Sequence, residues 1–254
     1  MATYKSIIAY DGTHFHGFQR QAEERRTVQA ALETALQRIG WRESSLMAAG
    51  RTDAGVHASG QVIAYTLDWQ HAAVDLSRAL NANLPVDLAV WDTVQVPADF
   101  HPRFSALRRC YRYSLLIAEH RHPLRERYAW RIWPEPDLQR LQQVARWIEG
   151  TRDFRAFGRP PKEGGNSVRT VHRCAWQIQG DSLTCHLEAN AFLYHMVRRL
   201  VAAMVAVERG RVSADDLRSL LEDPSLRWEG TLAPAAGLCL EAVIYDDQNL
   251  KCAG

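Results

Sequence analysis

Short segments with strand-like and helix-like apolar spacing alternate along this chain, an order that leaves few folds open to it. Residues 4–10 read as a strand closed by the turn pair Asp11-Gly12. Val28, Ala31, Leu32, Ala35, Leu36 and Ile39 then fall on one helical face, with Thr27 to cap the start and Gly40 to end it. Strands over 46–49 and 61–67, a short helix over 75–83 stopped by Pro85, and a strand over 88–96 complete the order β-α-β-β-α-β. The second half repeats that order: a strand over 107–118, a helix over 137–149 and a hairpin of 168–179 with 183–188 across Gly180-Asp181. A long helix over 191–208 follows, then a helix over 214–221 with Ser213 and Asp216 placed as a capping box, and a closing strand over 238–245. The pattern predicts an α+β protein of two similar halves, with antiparallel or mixed sheets, helices packed on one side and an active-site cleft between the halves. The expected division is 1–100, 101–247 and a disordered tail over 248–254.

The 254 residues suffice for a sizeable core, and 46% hydrophobic with 24% charged residues is ordinary for a globular chain. No apolar run approaches the ~20 residues that cross a bilayer, so no membrane association is expected. The N-terminus lacks the apolar stretch of a secretory signal. Five cysteines, with no Cys-x-x-Cys pair, fit reduced thiols and a cytoplasmic location better than a disulfide frame or a zinc site. Net charge is only +2, but residues 101–131 hold eight arginines against two glutamates, a balance of +6 that leaves −4 for the rest. A localised polyanion site needs such a segment, and a solvated arginine-rich hairpin would carry it equally well. The glycine-, proline- and charge-rich stretch 158–166 is either a lid or a plain surface connection.

The stretch that points to chemistry is Gly50-Arg-Thr-Asp-Ala-Gly-Val-His57, set between two strands. Gly50, Gly55 and Gly60 permit unusual backbone angles and close approach of another segment. Asp53 lies two residues from Arg51, and a guanidinium beside a carboxylate holds it ionised, lowering its pKa by ~1–3 units. An ionised carboxylate can act as a nucleophile. A turn whose Asp caps a backbone amide would use the same residues. His14-Phe-His16 and His120-Arg-His122 raise a metal question, but neither has a cysteine or a His-Glu-x-x-His partner, and no metal site is expected.

Residues 50–61 resemble the signature of the tRNA pseudouridine synthase A family, in which this Asp is the nucleophile. Similar blocks follow in the family's order: residues 10–19, 28–33, 80–85, 100–104, 109–113, 153–157, 192–198 and 233–238. Together they span roughly residues 4 to 245. Phe18 stands where the family usually has Trp, Ala235 where a second Pro is common, and Arg199 in place of a smaller or polar residue.

The resemblance implies isomerisation of uridine to pseudouridine in tRNA, with no cofactor and no metal. The N1–C1′ bond breaks, the uracil turns and C5 joins C1′. Asp53 would attack C1′ or abstract the 2′ proton to give a glycal, and the sequence does not choose. Tyr111 matches the family's active-site tyrosine, as a stacking platform for the flipped base and a candidate for removing the C5 proton. Arg51 and Arg198 match arginines near the Asp, and Leu238 matches a residue lining the pocket. His57 reads as positioning the loop against the substrate, and Arg121 and Arg125 as phosphate contacts. The resemblance further implies a homodimer that grips the anticodon arm and modifies nucleotides 38, 39 and 40. A non-catalytic RNA binder would have no need of a carboxylate that repels phosphate. A glycosidase would want a second acid, which the motif does not supply.

Overall fold

The computed structural model describes residues 1–22 and 25–246; the tail expected over 248–254 lies outside the described residues. In chain order the elements are β1 (Ala2–Tyr10), α1 (Val28–Arg38), β2 (Met47–Ala48), β3 (His57–Leu67), α2 (Ala73–Asn81), β4 (Leu88–Val96) and β5 (Ala106–Ile117). There follow β6 (Trp130–Ile132), α3 (Leu138–Ile148), β7 (Gly150–Asp153), β8 (Val168–Gln179), β9 (Ser182–Ala189), α4 (Met196–Glu208), α5 (Ala214–Glu222) and β10 (Leu238–Tyr245). They divide into two compact units, Met1–Leu107 with the chain from Cys239 onward, and Arg108–Leu238.

In the first unit β1 is antiparallel to both β3 and β4. Its alternate residues Tyr4, Ile8 and Tyr10 are buried, as is the polar Ser6 between them. Ser6 is satisfied by the Tyr65 hydroxyl at 2.9 Å and by Thr93 at 2.8 Å. Burial pushes the Tyr65 phenol up to about 12.

The first boundary falls after Leu107, and the closing strand expected in the second half lies in the first unit. β10 runs parallel to β3, with Cys239 opposite His57 and Leu240 opposite Ala58. A Cβ on Gly60 would sit 2.0 Å from the Glu241 carbonyl oxygen, so only glycine admits this approach. Phe100 joins Ala64 and Val96 in a buried cluster, the Tyr245 ring lies 5.3 Å from Phe100, and the Tyr245 hydroxyl donates to the Pro102 carbonyl at 2.7 Å. Residues on both sides of the second unit are thereby packed into the first.

In the second unit the sheet order is β5-β9-β8-β7, antiparallel throughout, with β6 parallel to β5. Along β9, Leu183, Cys185, Leu187 and Ala189 are buried and the residues between them are not, the signature of a sheet covered on one face. That cover includes α3 on β8 and α5 on β7, with α4 packed against both helices. The Trp176 indole donates to the Met204 sulfur at 3.4 Å, tying β8 to α4. Cys110, Cys174, Cys185 and Cys239 carry free thiols. The capping box of Ser213 and Asp216 forms at α5.

Further expectations shift. β3 starts at His57, four residues earlier than its apolar run, so the end of the glycine-rich motif is already strand. α4 starts at Met196 rather than 191, because the Tyr194 amide donates to the Arg159 carbonyl and His195 adopts φ 65°. The buried face of α1 is partly polar: Gln29 and Glu33 are buried where Ala31 and Ile39 are only partly so.

Glu33 explains that polar face. Its carboxylate accepts from the Gln29 side chain at 2.8 Å, the Leu46 amide at 3.2 Å and the Arg20 guanidinium at 2.7 Å. Gln29 in turn accepts from the Arg20 amide and donates to Ser45. One helix face thus fixes the segment entering it and the segment that leads into β2. Glu33→Ala leaves buried donors unpaired, at about 1–3 kcal/mol each. Chemical denaturation is expected to show a loss in that range, and an unchanged midpoint would contradict the anchoring role.

Candidate active site

The segment 50–56 leaves β2, makes a turn and enters β3. The Val56 amide donates to the Asp53 carbonyl at 3.2 Å, and Gly55 at φ 77° supplies the left-handed residue that the turn requires. Gln61, fully buried, donates to the Gly50 carbonyl at 3.0 Å. Gly50 itself has open space where a Cβ would stand. Of the motif glycines, Gly55 answers to conformation and Gly60 to close packing, and Gly50 to neither.

A second segment, residues 10–18, clamps this loop. The Phe18 amide donates to the Thr52 carbonyl at 3.0 Å and the Gly55 amide to the Phe15 carbonyl at 3.3 Å. The Tyr10 hydroxyl bonds the Thr52 hydroxyl at 2.7 Å in a buried setting. The Gly12 amide donates to His57 Nδ1 at 3.0 Å, and Asp11 Oδ1 lies 3.2 Å from the same nitrogen. One nitrogen cannot both accept the amide proton and donate one of its own, so with the amide bond made His57 is neutral at Nδ1. Buried and engaged there, His57 fixes the loop to the turn at 11–14.

The approach is backbone to backbone. A Cβ on Gly12 would lie 2.0 Å from the Val56 carbonyl oxygen; on Gly17, at φ 88°, it would lie 3.1 Å from the Thr52 carbonyl oxygen. Behind the clamp, Arg26 makes two bonds to Asp87, at 2.8 and 2.6 Å, and stands 4.1 Å from the Phe15 ring centre. The bond from Arg26 holds the Asp87 carboxyl below its ordinary range. Sequence reasoning missed this second segment as part of the site; Gly12 and Gly17 were its signal. Asp53 sits half-buried in the turn. Arg51 is exposed and among the described residues forms no ion pair, so the expected Arg51–Asp53 pair is not made within the loop.

In the second unit, Tyr111 on β5 is partly buried and meets Phe192 edge to face at 5.1 Å. Tyr113, two residues on, is fully buried, and its hydroxyl donates to the Pro234 carbonyl at 2.7 Å. Burial raises the Tyr113 phenol far above its ordinary value. Of the two tyrosines Tyr113 is therefore the structural one. Arg198 lies in the first turn of α4, where the helix dipole disfavours a cation. Its Nε donates to the Ala233 carbonyl at 2.7 Å, which keeps it there. His195, just ahead of it, holds a left-handed backbone that costs on the order of 1–3 kcal/mol for a non-glycine residue. Leu238 is buried at the start of β10.

The arginine segment is less of a bare positive patch than its sequence implies. Arg125 forms two bonds with Asp181, at 2.5 and 2.6 Å, and Arg108 pairs with Glu188 at 2.6 Å. Arg121 and Arg131 lie 3.6 and 3.7 Å from Glu126. Among the described residues no three His, Cys, Asp or Glu side chains come together as a metal site.

With this geometry described, comparison with known proteins identifies the class. The family model described as tRNA pseudouridine synthase matches residues 7–105 and 144–246, which include the Asp53 loop, the clamp and the first turn of α4. Proteins named tRNA pseudouridine synthase A from Pseudothermotoga lettingae and Chloroflexus aurantiacus are 37% and 39% identical, over 96% of this chain and 100% and 89% of theirs. One of the same name from Methylobacterium nodulans is 37% identical over the full length of both. A chain of a Cbf5-Nop10-Gar1 complex aligns over 79% of this chain and 53% of its own, at TM-score 0.35 and 12% identity, too weak a likeness to bear on the argument. This chain belongs to the tRNA pseudouridine synthase family.

Gly12→Ala tests the clamp. The added methyl collides with a backbone carbonyl that has no rotamer to yield, and overpacking of this kind costs about 1–3 kcal/mol or more. The variant is expected to melt lower by ~2–4 °C for each kcal/mol of destabilisation. A melting point equal to that of the parent would show that the two backbones do not touch.

Proposed function

We propose that this chain isomerises uridine to pseudouridine in the anticodon arm of tRNA, at nucleotides 38, 39 and 40, with Asp53 as the nucleophile. The observation that carries the residue assignment is the Asp53 turn, half-buried and clamped to a second segment through backbone contacts. A group held that firmly meets its target without a search over loop conformations, which is where much of an enzyme's rate comes from.

In this reading Asp53 attacks C1′, or takes the 2′ proton, as the N1–C1′ bond breaks. The uracil turns, C5 bonds to C1′ as the Asp53–C1′ bond breaks (or, on the glycal route, as Asp53 returns the proton to C2′), the proton on C5 leaves and N1 gains one. No cofactor or metal takes part. Arg198 orients the carboxylate, Leu238 walls the base, and Tyr111 stacks on it. His57 serves substrate binding through the loop that it fixes. Arg121 and Arg125 reach phosphate by exchanging Glu126 and Asp181 for it, a swap that leaves a smaller net gain than for an unpaired arginine. The reading also includes a homodimer acting in the cytoplasm.

Asp53→Asn removes the charge with little change of shape. It is expected to yield no detectable pseudouridine while keeping, or improving, affinity for tRNA, since a charge that repels phosphate is gone. Turnover by the purified variant, free of host enzyme, would contradict the assignment.

Tyr111 separates into two jobs. A platform alone tolerates Phe and fails with Ala. A hydroxyl that moves the C5 proton makes Tyr111→Phe bind normally and turn over ~10²–10⁴-fold more slowly, the range for one general acid–base group. We expect the second result, because the last step removes a carbon-bound proton and His57, buried and engaged by the Gly12 amide, is committed to holding the loop. Near-normal single-turnover rates in Tyr111→Phe would leave Tyr111 as a platform only.

A further inference from the structure

The second unit holds a pocket of about 590 Å³ that none of these roles uses. Arg155, Arg159, Arg199 and Arg227 line it, together with Trp228 and the glycines of the 158–166 stretch, and no carboxylate lies in its wall. Arg155 bonds Asp153 at 2.7 Å, which offsets one of the four charges. Arg199 donates to the Phe157 carbonyl at 3.3 Å. Arg159 and Arg227 have no carboxylate partner among the described residues, in contrast to Arg108, Arg121 and Arg125.

The walls are built rather than incidental. The Trp228 amide donates to the Ala156 carbonyl at 3.0 Å and its indole to the Thr231 carbonyl at 3.1 Å, so the 227–231 segment is fixed against 155–157. Gly230 lies so close to the Trp228 ring that a Cβ would fall 2.2 Å from it, and the Phe157 ring is stacked 6.5 Å from it. The indole is therefore wall, not a platform for a base. Opposite, the Arg159 and Tyr194 backbones form a bridge, which holds the 158–166 stretch down on the segment before α4. Gly164 has φ 69° with open space around it, so this stretch presents backbone at the pocket rim.

Ligand pockets for small molecules are predominantly apolar with a few polar groups. A cavity with several guanidiniums, a glycine-rich rim and no acid instead suits phosphate oxygens, which arginine binds in pairs. We propose that this pocket takes backbone phosphates of the RNA substrate at a distance from the reacting uridine, with Arg159 and Arg227 as the principal contacts. The assignment rests on the reading of this chain as an enzyme acting on tRNA. It makes the 158–166 stretch part of a substrate-binding wall.

The test is the full-length double variant Arg159→Gln/Arg227→Gln, with the matching double Lys variant. Affinity for unmodified tRNA is measured across salt concentrations, and pseudouridine formation is followed at saturating tRNA. Removing one arginine–phosphate interaction flattens the slope of log affinity against log salt by about 0.7–0.9. The Gln variant is expected to show a flatter slope and raised KM with kcat kept, and the Lys variant to restore the slope because it keeps the charge. An unchanged slope in a folded Gln variant that still makes pseudouridine overturns the pocket assignment alone. Wild-type protein that binds tRNA but makes no pseudouridine overturns the reading of the reaction, while the slope comparison still decides the pocket. Inorganic phosphate is titrated separately at constant ionic strength. Saturable phosphate binding that disappears in the Gln variant with the tRNA slope unmoved would make this a site for a free anion and overturn the RNA assignment.

Discussion

The contact between the Gly12 backbone and the Val56 carbonyl is the constraint from which the geometry of the first unit's Asp53 loop follows. Two loops lie against each other with no side chain between them, and the position admits nothing larger than a hydrogen. Around that contact the Tyr10, Phe15, Phe18, Thr52, Gly55 and His57 bonds all act in the same sense, fixing the turn that carries Asp53. The polar face of α1 extends the arrangement, since Glu33 and Gln29 grip both the end of the clamp and the segment entering β2. A carboxylate on an untethered turn would sample many conformers, and here the backbone contacts remove much of that freedom.

The second unit reaches the same end by different means. Its tyrosine pair divides the work: Tyr113, fully buried and bonded to Pro234, secures the segment 233–237 to β5, while Tyr111 remains partly exposed beside Phe192. The ring of Tyr113 lies 2.7 Å from where a Cβ on Gly237 would stand, a second place where only glycine fits. Arg198 is held to Ala233 at the other end of that segment. A cation in the first turn of a helix and a left-handed histidine just before it both run against local preference. Such conflicts persist where function or tertiary packing outweighs them.

Much of the fold was legible because the residues involved settle their structure locally. β4, β8 and β10 have the limits that their alternation suggests, and the caps at Thr27 and Ser213 form as their side chains predict. The misses are all tertiary. Residues 191–195 read as the start of a helix, yet the bridge of Tyr194 to Arg159 draws them out of α4. β6 and β7, of three and four residues, are too short for a period to register and exist only through their partners β5 and β8. Leu238 closes one unit while the residues after it pair with β3 in the other, a division that no local pattern encodes. At the site, the Asp53 motif was plain, but the clamp was not, because glycine advertises a close approach without naming what approaches. The arginines of 101–131 stand out in the sequence, whereas their carboxylate partners, several of them distant along the chain, do not.

An enzyme that breaks the N1–C1′ bond of a uridine in tRNA and rejoins the base through C5 releases the hydrogen from C5 and no free base. The direct measurement uses tRNA carrying tritium at C5 of uridine, incubated with the purified protein, with released tritium, free uracil and the modified positions determined together. The account predicts one tritium released for each pseudouridine formed, located at nucleotides 38–40, with no uracil. Folded protein that binds this tRNA yet releases no tritium, or that releases uracil in its place, would contradict it.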